Sequence, residues 1–549
     1  MTPAGAPVRR PVWALAALAV LMALPPASAI GLVVAALALT GGIRLLRAVR
    51  AVSASRAPAA HSAMILGRDR GGAAVALDDR QLAAHGLILG ASGAGKSTTL
   101  LAILSDHIER GAPVVAIDMK GSPAFERRLA AAAAAAGRPL RVFSPERGEH
   151  WNPLQHGNAT ELKDKLISSE RFTEPHYQRA AERYVQLALG VLMEVHPSRP
   201  ATLREVVDAL EPRHLSALTR QLAPERAERV ESYLCGLTPD QHSAVRGLGT
   251  RLAILSESHV GTLLEPGAGT ATTTPGGPAA GIDLRRALEG EEVVLFSLHS
   301  SVYGKLSAQL GTLAIQDLVA ATGHRLSTTA GGGQHQQAIV GIDEFSALGA
   351  DNVISLLARG RESGVSVLLA TQELADLDRA ASGLRDQVLG NTAVKVVHRQ
   401  DVPASAHTVA RMTGTEKVWE QTFRVGGFPS RFDTSRGTRR QVEQLLIHPN
   451  EIMSLRTGEA VLLTKVPQTR ARLVRVTAPA PAPALVSPAG PGRRSVGRAG
   501  PEPEARRLQQ PELPPRIPAA RPPAATSRRW SSPSRRRQAP ERRQGPEIG

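Results

Sequence analysis

A glycine-rich octapeptide early in the chain has the residue types of a phosphate-binding loop. It consists of Gly90, Ala91, Ser92, Gly93, Ala94, Gly95, Lys96 and Ser97, and Thr98 follows it. Glycines let consecutive backbone N–H groups turn towards phosphate oxygens, where a side chain would collide. Lys96 supplies a mobile charge to the β- and γ-phosphates, and Ser97 offers a hydroxyl to Mg²⁺. The loop, together with Thr98, is therefore predicted to bind ATP and Mg²⁺.

Two adjacent carboxylates, Asp343 and Glu344, follow an apolar run over residues 338–342 that is typical of a buried strand. Successive side chains of a strand point to opposite faces, so we expect the two carboxylates to have different roles. Asp343 is predicted to hold Mg²⁺ through water. Glu344 is predicted to polarise the water that attacks the γ-phosphate.

A third apolar run, residues 364–370, ends in the neutral pair Thr371 and Gln372. In a sheet wound around a phosphate-binding loop, ligands lie at the carboxyl ends of the strands, so this pair is expected close to the γ-phosphate. Gln372 is predicted to sense whether ATP or ADP is bound and to pass that state to the next strand.

Two arginines, Arg359 and Arg361, flank Gly360 at the end of a helical pattern over residues 352–362. In many oligomeric nucleotide hydrolases an arginine enters the active site of a neighbouring subunit and neutralises charge in the transition state. Arg361 is our candidate for that role, with Arg359 as the alternative.

The segments around these residues predict the sheet that must position them. Residues 86–89 form an apolar run before the loop, and residues 98–110 form a helical pattern after it, which is the strand–loop–helix setting that such a loop requires. Residues 114–117 add another apolar run. We expect an α/β fold with a doubly wound, mainly parallel sheet.

The stretch between Asp118 and Asp343 is far longer than one strand–helix–strand crossover needs. Apolar residues recur there at helical spacing, as in Tyr184, Leu187 and Val191, which predicts an all-α domain inserted into the sheet domain. Residues 267–281, rich in Gly, Thr and Pro, are expected to form a loop before the chain returns to the sheet.

An uncharged stretch of 33 residues, 11–43, precedes the sheet domain. Pro25 and Pro26 divide it into two arms, and arginines flank it on both sides, so the positive-inside tendency favours a membrane hairpin with both ends in the cytoplasm. A cleaved secretory signal ending near Ala29 is the alternative. We expect two membrane spans and a mainly cytoplasmic chain.

The charge of the chain is +17, and much of it lies at the carboxyl end. Residues 477–549 contain fourteen arginines and five glutamates, a net charge of +9, with few large apolar residues. This tail is expected to be disordered, and it could contact nucleic acid or anionic lipid. The single cysteine, Cys235, excludes an internal disulfide and a cysteine-rich zinc site.

Together the motifs resemble those of type IV secretion coupling proteins of the TraG/TraD kind, which are related to the FtsK and HerA pumps. The likeness covers roughly residues 62–475. The segments that carry it are residues 85–97, the Asp-x-Lys-Gly strand end over 114–121, Asn152-Pro153-Leu154, residues 342–345, Gly360-Arg361 and residues 370–372.

The resemblance implies a RecA-like motor that assembles into a homo-hexamer and docks on a type IV secretion channel. Its cargo would be single-stranded DNA with an attached relaxase, exported during conjugation. One alternative is an FtsK-like pump for double-stranded DNA. Another is a receptor that recruits protein substrates to a secretion channel, with ATP as its switch.

The expected organisation follows from these features. It comprises a membrane anchor over residues 1–50, the first part of the ATPase domain over 51–158, the all-α domain over 159–266, the second part of the ATPase domain over 267–476, and the basic tail over 477–549.

Overall fold

The computed structural model describes residues 63–170, 172, 174–266, 281–330, 335–425 and 433–479, all within one unit of the chain. The predicted membrane hairpin, nearly all of the basic tail and most of the loop over 267–281 lie outside the described residues. Within the described ranges, no helix is both long and apolar enough to cross a membrane.

In the part of the chain that the structure describes, eleven strands form one sheet and two more form a separate ribbon. The sheet strands are β1 Ala63–Asp69, β2 Ala74–Asp78, β3 Gly86–Leu89, β4 Val114–Asp118, β5 Leu140–Phe143, β6 Val293–Ser297, β7 Ala338–Asp343, β8 Val365–Thr371, β9 Val394–Val397, β12 Glu459–Thr464 and β13 Arg470–Val476. Their order across the sheet is β2-β1-β13-β12-β9-β3-β8-β7-β4-β6-β5.

The seven strands from β9 to β5 run parallel, as the apolar runs of the sequence predict. Strands buried on both faces need apolar side chains at consecutive positions. In β4, Val115 and Ile117 pack into one hydrophobic cluster, whereas Val114 and Ala116 pack into a second cluster on the other face. The sheet therefore carries a core on each side.

The remaining four strands extend the sheet with antiparallel pairs, which the sequence patterns did not indicate. Strand β12 pairs with β9 and with β13, and β13 pairs with β1. Gly67 lies opposite Val476 in the β1–β13 pair. The first sheet strand in the sequence therefore lies beside the last one.

Helices cover both faces of the sheet and build the insertion. They are α1 Asp79–Leu82, α2 Lys96–Glu109, α3 Pro123–Ala135, α4 Ala159–Ser168, α5 Pro175–Val195, α6 Leu203–Ala209, α7 Pro212–Thr219, α8 Pro224–Cys235, α9 Pro239–Ser256, α10 Leu284–Glu289, α11 Ser300–Ala330, α12 Ala350–Gly360, α13 Leu374–Ala380, α14 Leu384–Asn391, α15 Pro403–Thr413 and α16 Pro449–Met453. Helix α11 is kinked at Gly304.

Helices α4 to α9 form the inserted all-α region that the apolar spacing predicts. Three of them begin with a reciprocal capping box, in which Asn158, Thr202 and Thr238 each accept from the backbone of the third helical residue. Such caps satisfy backbone N–H groups that have no partner inside the helix. Tyr184 and Val191 are fully buried between these helices, which confirms that the apolar stripe of α5 is core.

The segment Asn152-Pro153-Leu154 joins the insertion to the sheet domain. The indole N–H of Trp151 donates to Asp317 over 3.0 Å, and the Nζ atom of Lys165 donates to the other oxygen of Asp317 over 2.8 Å. Lys165 also donates to the Pro153 carbonyl over 2.6 Å. Because Lys165 is buried, this pairing holds α4 against α11 and the Asn-Pro-Leu segment.

The strands of the ribbon are β10 Thr415–Val425 and β11 Asp433–Leu445. Nearly all of its described side chains are exposed on both faces, including Trp419 at 52%. The guanidinium of Arg439 lies 4.6 Å from the centre of the Trp419 ring, in a cation–π contact. The ribbon therefore projects from the sheet domain with little core of its own.

Candidate nucleotide site

The glycine-rich loop connects the carboxyl end of β3 to the first turn of α2. Gly93 and Gly95 have φ angles of 73° and 117°, a region that favours glycine. Gly95, the N-cap residue of α2, has no side chain that could cap the helix. Its first backbone N–H groups therefore remain available for an anion, and the helix dipole favours negative charge there.

Lys96 and Ser97, at the start of α2, meet the two carboxylates at the end of β7. The Nζ atom of Lys96 lies 3.3 Å from Oδ1 of Asp343 and 2.5 Å from Oε1 of Glu344. The hydroxyl of Ser97 donates to Oδ2 of Asp343 over 2.7 Å. The loop and the carboxylate pair thus form one pocket.

The expectation that Asp343 and Glu344 point to opposite faces does not hold. Strand β7 ends at Asp343, and Glu344 adopts a left-handed conformation with φ 58° and ψ 43°. Strand alternation therefore stops at Asp343, and the turn brings the side chain of Glu344 into the same pocket. A non-glycine residue in this conformation is uncommon and is a feature of strained functional turns.

One carboxylate oxygen of Glu344 is the meeting point of three donors. Lys96 and Lys120 approach Oε1 at 2.5 and 2.6 Å, and the amide of Gln372 donates to it over 3.0 Å. Burial favours the neutral form of Glu344, but the two lysines and Gln372 outweigh it. The pKa of Glu344 therefore lies below its ordinary value.

The residues at the loop fit a magnesium ion. Mg²⁺ prefers hard oxygen ligands, and a serine hydroxyl with a carboxylate is such a set. Ser97 and Asp343 already share a hydrogen bond, so their oxygens face the same point of the pocket. These two residues would hold the ion beside the phosphates, Ser97 directly and Asp343 through water as predicted from the sequence.

The other predicted site residues divide into two groups. Gln372 lines the same pocket as Ala91, Ser92 and Thr98. Arg361 instead caps the end of α12 and is exposed. Arg361 precedes β8, whereas the pocket lies at the carboxyl end of β8. The seven residues of this strand separate the two by about 23 Å.

The position of Arg361 has a clear consequence. Neither it nor Arg359, in the last turn of the same helix, can reach the pocket of its own chain. Only a neighbouring subunit could bring either arginine to a nucleotide site, so the trans role remains a prediction.

His398, at the end of β9, is a buried residue of the site that the sequence patterns missed. Its Nδ1–H donates to the Glu459 carbonyl over 2.9 Å, which leaves Nε2 to accept from the Thr99 hydroxyl over 2.8 Å. A Cβ on Gly90 would lie 2.8 Å from the Cβ of His398, so the loop packs directly on this ring. Burial lowers the pKa of His398 to about 4.

Two further parts of the pocket were also missed. Thr457 lines it from the turn before β12, and the neighbouring Gly458 N–H donates to the Ala94 carbonyl over 2.9 Å. Lys120 reaches it from the Asp-x-Lys-Gly segment. The Asp-x-Lys-Gly motif is evident in the sequence, but its pattern does not indicate a role for the lysine. Nothing in the sequence around Thr457 indicates its place.

A phosphate-binding loop between β3 and α2, paired carboxylates at the end of β7 and a parallel central sheet define a RecA-like P-loop nucleotide-binding domain. Residues 65–222 match the family model of the helicase HerA central domain. Residues 338–457 match the family model described as the TraM recognition site of TraD and TraG. These matches confirm the resemblance to TraG/TraD coupling proteins and HerA-related P-loop ATPases.

Solved structures of the plasmid coupling protein TrwB share this fold. Unbound TrwB is 16% identical, with a TM-score of 0.54 over 77% of this chain and 89% of that chain. TrwB with ADP and Mg²⁺ is also 16% identical, with a TM-score of 0.54 over 77% and 91% of the two chains. A comparison with curated protein sequences found no match.

Proposed function

We propose that this protein is a membrane-anchored, hexameric ATPase that couples ATP hydrolysis to the export of DNA through a type IV secretion channel. The cargo is single-stranded DNA with its attached relaxase. The observation that carries the proposal is the convergence of Lys96, Ser97, Asp343 and Glu344 at one edge of a RecA-like sheet.

The chain's own groups have separate tasks in hydrolysis. The loop amides and Lys96 hold the β- and γ-phosphates. Ser97 and Asp343 would hold Mg²⁺, which would supply positive charge to offset the charge of the phosphates. Glu344 accepts a proton from water as the water oxygen bonds to the γ-phosphorus. The bond to the bridging oxygen breaks, and ADP keeps that electron pair.

Assembly into a ring is supported by the position of Arg361. Arg361 is exposed near the amino ends of the parallel strands, whereas the pocket lies at their carboxyl ends. It can therefore complete a nucleotide site only in a neighbouring subunit. In such a ring, hydrolysis shifts loops at the central channel. Positively charged groups there would grip a phosphate backbone without reading its sequence.

Partners are proposed from the same likeness. The family model over residues 338–457 is named for the recognition of TraM by TraD and TraG. We therefore place a docking region for a protein of the transfer apparatus in this part of the chain, which contains the exposed ribbon. The membrane hairpin over residues 1–50 would anchor the ring at the secretion channel.

The test is ATP hydrolysis by the full-length chain without DNA, with single-stranded DNA and with double-stranded DNA, together with its mass in solution. The Glu344→Gln variant is the control for contaminating ATPases. Stimulation by single strands and a hexameric mass are expected. Preferential stimulation by duplex DNA would support an FtsK-like pump instead, and indifference to both forms would support an ATP-switched receptor.

A further inference from the structure

Lys120 occupies a position at the nucleotide pocket for which the functions assigned above give no use. It follows β4, which is the direct neighbour of β7 in the sheet, so it enters the pocket from the side opposite the glycine-rich loop. Its side chain is 43% exposed and lines the pocket. Its ammonium group is bound to Oε1 of Glu344.

The turn that carries Lys120 is held rigidly. The two carboxylate oxygens of Asp118 accept from the backbone N–H groups of Lys120 and Ser122 over 2.9 and 2.6 Å. Gly121 has a φ of 67°, and a Cβ there would lie 2.4 Å from the ring of His299. Asp118 is buried, and both of its carboxylate oxygens are occupied by these backbone hydrogen bonds. The turn fixes the backbone of Lys120, whereas its side chain is a flexible four-carbon stem that is partly exposed.

The two lysines of the pocket are close neighbours. Both Nζ atoms lie within hydrogen-bond distance of the same oxygen of Glu344, so they are at most about 5 Å apart. A phosphate oxygen bound by Lys96 is therefore also within reach of Lys120. Two ammonium groups on one carboxylate oxygen repel each other, and an arriving triphosphate offers further acceptors for both.

We propose that Lys120 is a second catalytic lysine, which pairs with Glu344 in the empty site and moves to the γ-phosphate when ATP binds. The move releases Glu344 to accept the proton of the attacking water. It also places a cation of the same chain on the phosphate oxygens, where negative charge develops as the bond to ADP breaks. This inference rests on the ATP site of the proposed function and not on the cargo.

In this role Lys120 senses the γ-phosphate. Nucleotide binding, measured without hydrolysis, therefore tests the role. The affinities of the full-length chain for a β,γ-imido analogue of ATP and for ADP are measured with Mg²⁺. Lys120→Met is expected to lower the preference for the analogue over ADP by about tenfold or more, because one charge-assisted hydrogen bond is lost. Lys120→Arg should keep the preference within about threefold, since it retains the charge.

Lys163→Met is the matched control, because Lys163 lies on α4 in the inserted region and pairs with Asp164 there. It should leave both affinities unchanged. The proposal is overturned if Lys120→Met keeps the parent's preference, if it weakens both nucleotides equally, or if the parent itself has no preference for the analogue.

Turnover gives a second reading. Lys120→Met should lower kcat by about 10²-fold or more while the KM for ATP changes much less, as for other donors to the transition state. An unchanged kcat would contradict the proposal. If DNA does not change the hydrolysis rate of the parent, only the proposed DNA transport is refuted. The ratio of the affinities for the ATP analogue and for ADP still decides the role of Lys120.

Discussion

The hydroxyl of Ser97 donates to Oδ2 of Asp343 over 2.7 Å, although 246 residues separate the two in the sequence. Ser97 lies in the first turn of α2 and Asp343 ends β7, so the contact exists only because the sheet places β7 close to the loop after β3. The hydrogen bond marks the point where a metal ion would be held.

Ser97→Ala should reduce nucleotide affinity only when Mg²⁺ is present. The change removes one hydroxyl ligand but leaves the loop amides and Lys96, so binding of metal-free nucleotide should be preserved. ATP affinity is measured over a range of Mg²⁺ concentrations and again with excess chelator. A variant equally impaired under both conditions would show that Ser97 supports the loop and does not ligate the metal.

Glu344→Gln should nearly abolish hydrolysis, by about 10²-fold or more, and leave ATP binding close to that of the parent. The amide has the shape of the carboxylate but cannot accept the proton of water. Lys96→Ala should weaken both binding and hydrolysis, because Lys96 is expected to contact the phosphates themselves. Binding and steady-state assays on the two variants check this difference. Hydrolysis at the parent rate by the Glu344 variant would refute the assignment.

Arg361→Ala should abolish hydrolysis, and activity should return when this variant is mixed with Glu344→Gln. In a mixed ring, some interfaces join an intact pocket to an intact arginine of the neighbouring subunit. The hydrolysis rate is followed as the ratio of the two inactive variants changes. Arg359→Ala, from the same helix end, is the comparison. If Arg359→Ala loses activity and Arg361→Ala does not, Arg359 is the arginine that acts on the neighbouring subunit.

Acid should destabilise the protein through two buried histidines, His85 and His398. Burial lowers both pKa values from 6.5 to about 4, so the unfolded chain binds more protons than the folded chain between these values. The contribution of the two histidines to the free energy of unfolding should therefore be constant above pH 6.5 and fall towards pH 4. Each histidine contributes at most about 3 kcal/mol to this fall.

Urea-induced unfolding at pH 7 and pH 5 measures the effect. His398→Gln should reduce the number of protons that the chain takes up on unfolding by up to one. His324→Gln, at an exposed position, should leave that number unchanged. An equal pH dependence in the parent and in His398→Gln would show that His398 is not held in its neutral form.

The loop and the central strands could be predicted from the sequence because their signals are local. A glycine-rich loop between an apolar run and a helical pattern specifies β3 and α2, and continuous apolar runs specify strands buried on both faces. Residues that act by being brought together from distant segments have no such signal. His398 and Thr457 reach the loop only through the order of strands β9 and β12 in the sheet.

The side-chain direction of Glu344 could not be predicted from the sequence, for a different reason. The strand pattern predicts the carboxylate pair at the end of β7, where the structure places it, but the alternation gives the wrong direction for the side chain of Glu344. Alternation holds only while the strand continues, and the strand ends at Asp343 because the backbone of Glu344 is left-handed. The sequence gives no separate mark for that turn.

Strands β1 and β13 lie side by side, and the backbone N–H of Thr477 donates to the Leu66 carbonyl over 2.9 Å. Both ends of the sheet domain therefore leave from one border of the sheet. Thr477, at the start of the carboxyl-terminal segment, thus lies opposite Leu66, three residues after Ala63, where the described chain begins. Whatever holds one terminus in place raises the local concentration of the other beside the same surface.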